Sequence, residues 1–322
     1  EGADPTILDK NGKNFLFYAV SKGIENEEIV NKAIELGCDL NSRCSNNTTI
    51  LMQSVQNYLQ LDFEEKERKE SHLKMIKKLI EEGIQVDAID NKNETVLFDV
   101  VRSCSHELIE LFTKHDSIHL NHQNIYGDTV LTISVLQGIN NARIIKDFLK
   151  SGANVNLADK NGSTIIEKLI EVILHYHNRK KIKDFLLEKI HDSGEYIDVL
   201  KLIFENTKVD LQKLNSKGQP LFFDTIIFFN YPLFKMLRNF GIDINQKDKD
   251  NHNIIFYLME YAENSPTYNQ KIYLDTLQNL INIGVHIDSK DLNGSTALHK
   301  AVLENCEYTV KILLDSKLFC NR

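Results

Sequence analysis

One short pattern recurs along the chain and limits how it can fold. At Asp291 it reads DLNGSTALHKA, a polar turn running straight into a helical pattern. Seven earlier segments fall into the same frame. They are DKNGKNFLFYA from Asp9, CSNNTTILMQS from Cys44, DNKNETVLFDV from Asp90, NIYGDTVLTIS from Asn124, DKNGSTIIEKL from Asp159, NSKGQPLFFDT from Asn215 and DKDNHNIIFYL from Asp248. Successive starts lie 35, 46, 34, 35, 56, 33 and 43 residues apart. A unit near 33 residues with three insertions accounts for the series. Such a chain grows along one axis, so its 322 residues need not divide into the two globular domains that length alone suggests.

Each unit has a physical grammar. The Asp/Asn-x-x-Gly/Asn opening is turn chemistry, because the first side chain hydrogen-bonds its own backbone and the last residue tolerates a left-handed conformation. Thr49, Thr95, Thr129, Thr164 and Thr296 stand where a helix needs its first amides capped. A second apolar helix follows, as in FLKSGANVNLAD (148–159) and MLRNFGIDINQKD (236–248). Gly37, Gly83, Gly152, Gly241 and Gly284 mark where it stops.

This grammar resembles the ankyrin repeat, a unit of about 33 residues made of a turn and two helices around T-P-L-H-x-A. The best copy is Thr296-Ala297-Leu298-His299 with Ala301, and GANVN at 152–156 is also close. The poorest begins at Asn215, where Pro220 replaces the Thr. The family's His survives only as His299. Phe17, Phe98, Phe223 and Phe256 take its place in four copies, and Met52, Thr132 and Glu167 in the others. We therefore expect aromatic packing between repeats, with His299 structural rather than catalytic. The implied fold class is an all-α ankyrin-repeat solenoid of about eight helix-turn-helix repeats over 1–322. Repeats start near 9, 44, 90, 124, 159, 215, 248 and 291, with helical or loop insertions near 56–69, 171–196 and 261–273. Glu1-Gly2-Ala3-Asp4 matches the tail of a preceding repeat, and Val310, Ile312, Leu313, Leu314, Leu318 and Phe319 do not form a polar cap. These ends read as those of an array within a longer protein.

All three insertions are expected between the two helices of a unit. The first, with LDFEEKERKES, reads as a solvated extension of a first helix. The second carries Ile182, Phe185, Leu186 and Ile190 at helical intervals and reads as an added helix. The third is YAENSPTYNQKIY, broken by a Ser-Pro.

Composition and motifs argue against several functions. A net charge of -8 disfavours a nucleic-acid partner. No run of about 18 apolar residues is present to insert in a membrane. Five scattered cysteines suit a reducing compartment, and the expected location is cytoplasmic, including the host cytosol for a secreted effector. His175 and His177, with His191 in the same insertion, could suggest a metal, but the first two point about 200° apart on a helix and cannot share a face, so none is expected. His115, His119 and His122 read as solvated loop residues. No phosphate-binding glycine loop or nucleophile elbow occurs, so neither an enzyme, a cofactor nor a small-molecule substrate is expected.

The positive signal lies elsewhere. In the family, turn tips and exposed first-helix positions form the concave partner-binding side. The first two units place polar groups there, including Lys10, Asn11, Lys13, Gln56 and Asn57. Later units place Ile125, Tyr126, Leu136, Val172, Ile227, Phe228, Tyr261, Leu292 and Leu303 there. An apolar strip at solvated positions marks a binding surface. The expected function is a non-catalytic protein-interaction scaffold. The alternative is the recognition part of a larger enzyme, channel or effector. The run Phe222–Phe229 is either fully buried or an unusually apolar platform.

Overall fold

A computed structural model of the chain describes residues 4, 6–62, 64–115, 118–138, 141–177, 193–228, 230–264 and 270–320. These residues fall into two compact units, 1–154 and 155–322. Each unit holds four helix pairs. In the first, α1 (Phe15–Ala19) pairs with α2 (Glu27–Glu35), and α3 (Ile50–Leu59) with α4 (Lys66–Glu81). The other two pairs are α5 (Val96–Arg102) with α6 (His106–Thr113), and α7 (Val130–Leu136) with α8 (Ala142–Lys150). The second unit pairs α9 (Ile165–His177) with α10 (Ser193–Asn206), and α11 (Phe223–Ile227) with α12 (Tyr231–Asn239). Then come α13 (Ile254–Asn264) with α14 (Gln270–Asn282), and α15 (Ala297–Leu303) with α16 (Glu307–Cys320). A tight 3-10 segment, Val20–Asn26, links α1 to α2. No strand occurs among the described residues; Arg43 with Thr49, Ala158 with Thr164 and Leu214 with Pro220 form isolated bridges.

The eight turns share one hydrogen-bond pattern at the eight starts read from the sequence. The first residue's amide donates to the carbonyl four residues on, and the amide three residues on donates back to the first carbonyl. Asp9 does this with Lys13 and Gly12, and Asp291 with Ser295 and Gly294. In seven copies the first side chain is Asp or Asn, and its Oδ1 accepts from the amides two and four residues on. Cys44 has no such oxygen. The residue three on is Gly or Asn with φ between 56° and 83° in all eight. That left-handed region strains a residue with a larger side chain.

Caps then start the helices. Asn14, Thr49, Thr129, Thr164 and Asn253 each accept from amides two or three residues on. Thr95 makes no such bond. Seven first helices begin six residues after their turn start, whereas α11 begins eight after. Pro220 stands at its cap position and carries no side-chain acceptor, which delays and shortens that helix.

Asparagine side chains also tie successive closing loops together. Asn121 Oδ1 accepts from Asn154 N at 2.7 Å, and its Nδ2 donates to Gly152 O at 3.3 Å. Asn156 binds Asp210 N and Lys208 O, and Asn245 binds His286 N and Gly284 O. Asn41 accepts from Gln85 N.

The insertions lengthen helices, and the first does so differently from expectation. The chain leaves α3 at Gln60 and enters α4 at Lys66, and Glu65 Oε2 accepts from Asp62 N in the connection. Of residues 56–69, the first four stay in α3 and the last four extend the second helix, α4, to 16 residues. They do so because Leu73, Met75, Ile76 and Leu79 repeat at helical spacing into the core. Ile182, Phe185, Leu186 and Ile190 lie outside the described residues. The run 222–228 resolves as core: Phe222, Phe223, Ile226 and Ile227 are buried, and Phe228 is half-buried.

Candidate interaction surface

The nine expected contact residues divide by burial. In the first unit Ile125 and Tyr126 stand on a turn tip, 38% and 61% exposed. In the second, Leu292 on a turn tip is 71% exposed and Leu303 at the end of α15 is 81% exposed. Leu136, Val172, Phe228 and Tyr261 are half-buried. Ile227, at 6% exposed, belongs to the core of its unit, because α11 is a single short turn packed on α9, α12 and α13. Tyr18 and Val302 are further exposed apolar residues outside that set, at 56% and 57%.

The Tyr126 tip is rigidly built. Ile125 N donates to Lys92 O of the neighbouring turn at 2.9 Å, and Asn124 Oδ1 accepts from Tyr126 N and Asp128 N. The aromatic ring is thus held toward solvent by a backbone that has little freedom left to lose.

The polar residues of the first unit bind one another as well as solvent. Lys13 Nζ donates to Gln53 Oε1, whose Nε2 donates to Asn57 Oδ1. Gln56 reaches Asp99, and Arg102 bridges Asp99 and Glu94. Glu94 is buried and also accepts from Asn124 Nδ2 at 2.8 Å. Burial pushes its carboxyl up, and the bonds from Arg102 and Asn124 outweigh that, so it sits below its ordinary range. This buried cluster was not read from the sequence. The marker was Glu94 beside a cap Thr, with Arg102 eight residues on at the end of the helix that follows.

The histidines separate into roles. His299 Nδ1 lies 2.8 Å from Thr296 Oγ1 and accepts from Thr296 N, so it helps cap α15. His122, expected in solvent, is half-buried instead. Its Nε2 is 2.8 Å from Asn93 O and its ring meets the edge of Phe98. Phe256 stacks on His252, and Phe223 lies against Tyr257 at 5.1 Å. Phe98, Phe223 and Phe256 are thus aromatic packing positions, whereas Phe17 lies under Lys13 Nζ at 5.7 Å. The side chains of His175 and His177, and residue His191, lie outside the described residues. Among the described residues no three His, Cys, Asp or Glu are grouped to hold a metal. No described helix is long and apolar enough to cross a membrane.

Comparison with known proteins bears on the fold. No family model matches the chain. The ankyrin repeat domain of Bcl-3, in its crystal structure, superposes with a TM-score of 0.58, covering 84% of this chain and 99% of that one at 13% identity. The fold is the ankyrin repeat. Human Rabankyrin-5 is 24% identical over 168 residues, 48% of this chain. The CRISPR-associated endonuclease Cas1 2 of Thermodesulfovibrio yellowstonii is 29% identical over 108 residues, 32% of this chain. The chain spans 14% of the former and 32% of the latter. The ankyrin fold generally mediates protein-protein interaction, and ankyrin domains are typically non-catalytic. It identifies no partner by itself.

Proposed function

We propose that the chain is a non-catalytic protein-binding module whose contact surface is formed, within each unit, by turn tips and exposed first-helix sides. On ankyrin geometry these positions line the concave side. Tyr126 carries the reading: a large aromatic is presented to solvent on a tip whose backbone is already fixed by hydrogen bonds. Tyrosine anchors of this kind dominate protein interfaces, and a preformed scaffold loses little entropy on binding. Leu292 and Leu303 are the corresponding anchors in the second unit. Buried Ile227 supports the surface from beneath and is not itself a contact.

The test compares Tyr126→Glu and Leu292→Glu with the parent chain. Each is expected to weaken capture of the native partner by about 30-fold, the effect of a lost anchor. Melting temperature should stay within about 2 °C. Unchanged capture in both variants overturns the surface assignment. The second reading, recognition within a larger protein, is favoured by the match occupying only 14% of Rabankyrin-5.

A further inference from the structure

The third insertion builds a cavity. It makes α13 four residues longer than α15, so α13 reaches roughly 6 Å further along the pair. The lengthened α13 and α14 overhang the loop between α15 and α16. Beneath lies a cavity of about 390 Å³, within the size range of ligand pockets. It lies wholly inside the second unit, away from the turn tips.

Its lining is specific in kind. Met259, Ala262 and Leu274 make an apolar floor, and Tyr273 forms a wall, its phenol fixed 3.0 Å from Thr309 Oγ1. Tyr308 stands 62% exposed at the rim beside Glu307. Glu304 also lines the cavity and is partly neutralised by Lys300 at 3.5 Å. Among the described residues no lysine or arginine lines it. The first turn of α16 opens here and by itself would attract an anion, but Glu307 already supplies that negative charge. An apolar floor, aromatic walls and a carboxylate rim suit an aliphatic stem ending in a cation, which gains from both the rings and the charge.

We propose that this cavity receives an arginine side chain from a peptide segment of a protein partner, as a second contact independent of the tip surface. The insertion is then a specificity element, since the floor, wall and overhang come from the helices it lengthens.

The test uses Nα-acetyl-arginine methylamide as probe, with its neutral isostere Nα-acetyl-citrulline methylamide as control. The chain has four methionines, so methyl-labelled methionine gives four resolvable reporters, of which only Met259 lines the cavity. The expected result is a saturable shift of the Met259 methyl by the arginine probe near millimolar concentration. Citrulline should bind at least tenfold more weakly, and Glu307→Gln should erase the difference while leaving the melting temperature unchanged. Tyr126→Glu should leave this titration intact, which separates its failure from failure of the tip surface. A Met259 shift that does not saturate, or that is equal for arginine and citrulline, overturns the proposal.

Discussion

His72 shows how much one side chain contributes to a helix contact. It is buried where α4 packs on the Val20–Asn26 segment, and among the described residues its Nδ1 finds no hydrogen-bond partner. Burial pushes its pKa down, Arg68 adds to this, and Glu25 opposes. A base with a depressed folded pKa must stay neutral in the fold, whereas the unfolded chain takes up a proton below about pH 6.5. Its contribution is complete above that pH. It is lost as pH falls toward the folded value, at up to about 1.4 kcal/mol per pH unit. Urea unfolding at pH 7.5 and 5.5 should show this slope, and His72→Gln should flatten it; an equal slope in both chains refutes the assignment. Glu94 is the acidic counterpart. Arg102→Ala leaves its buried carboxylate with fewer donors, and should cost about 1.5–3 kcal/mol in the same assay.

At the scale of the element, local chemistry decides each boundary, and this is why so much of the fold is legible in the sequence. Seven of the eight turn starts follow from Asp/Asn at one position and Gly/Asn three later, which supply the acceptor and the left-handed backbone; the copy at Cys44 keeps only the second, at Asn47. Pro220 marks the copy where the helix begins late. What local chemistry does not specify is which helix an insertion joins: LDFEEKERKES is compatible with either neighbour, and the choice falls to Leu73, Met75, Ile76 and Leu79 finding a core. The same limit applies to the candidate surface. Ile227 and Phe228 are equally apolar in sequence, and only the packing around α11 buries the first more fully. Loop clips are likewise tertiary facts. Asn245→Ala removes the bonds to His286 N and Gly284 O, and should cost about 1–3 kcal/mol, read from thermal melts. Gly23→Ala should be as severe for another reason: φ is +66°, and an added Cβ would lie 2.5 Å from Ser71 Oγ and 3.0 Å from the Ser71 carbonyl carbon. A stable Gly23→Ala chain would mean that α4 and this segment separate easily.

At the scale of the whole molecule, each helix pair buries its apolar side only against neighbours, so damage should stay near its source. The insertion at 171–196 tests this. A surface elaboration is removable without loss, because lengthening a loop costs little. The structure argues otherwise for the ends of this one. Ile173 and Leu174 on α9 and Tyr196 on α10 are all buried, Tyr196 completely. Replacing 171–196 by a short turn therefore removes core and not only surface. Tyr196→Ala alone should cost about 3–5 kcal/mol, as for other large buried aromatics. Because contacts are to neighbours, amide exchange should accelerate across α9 to α12 while α1 to α4 keep their protection. Uniform acceleration from α1 to α16 would show instead that the repeats unfold as one cooperative body. Unchanged exchange in α9 and α10 would show that Tyr196 contributes little to the packing between them.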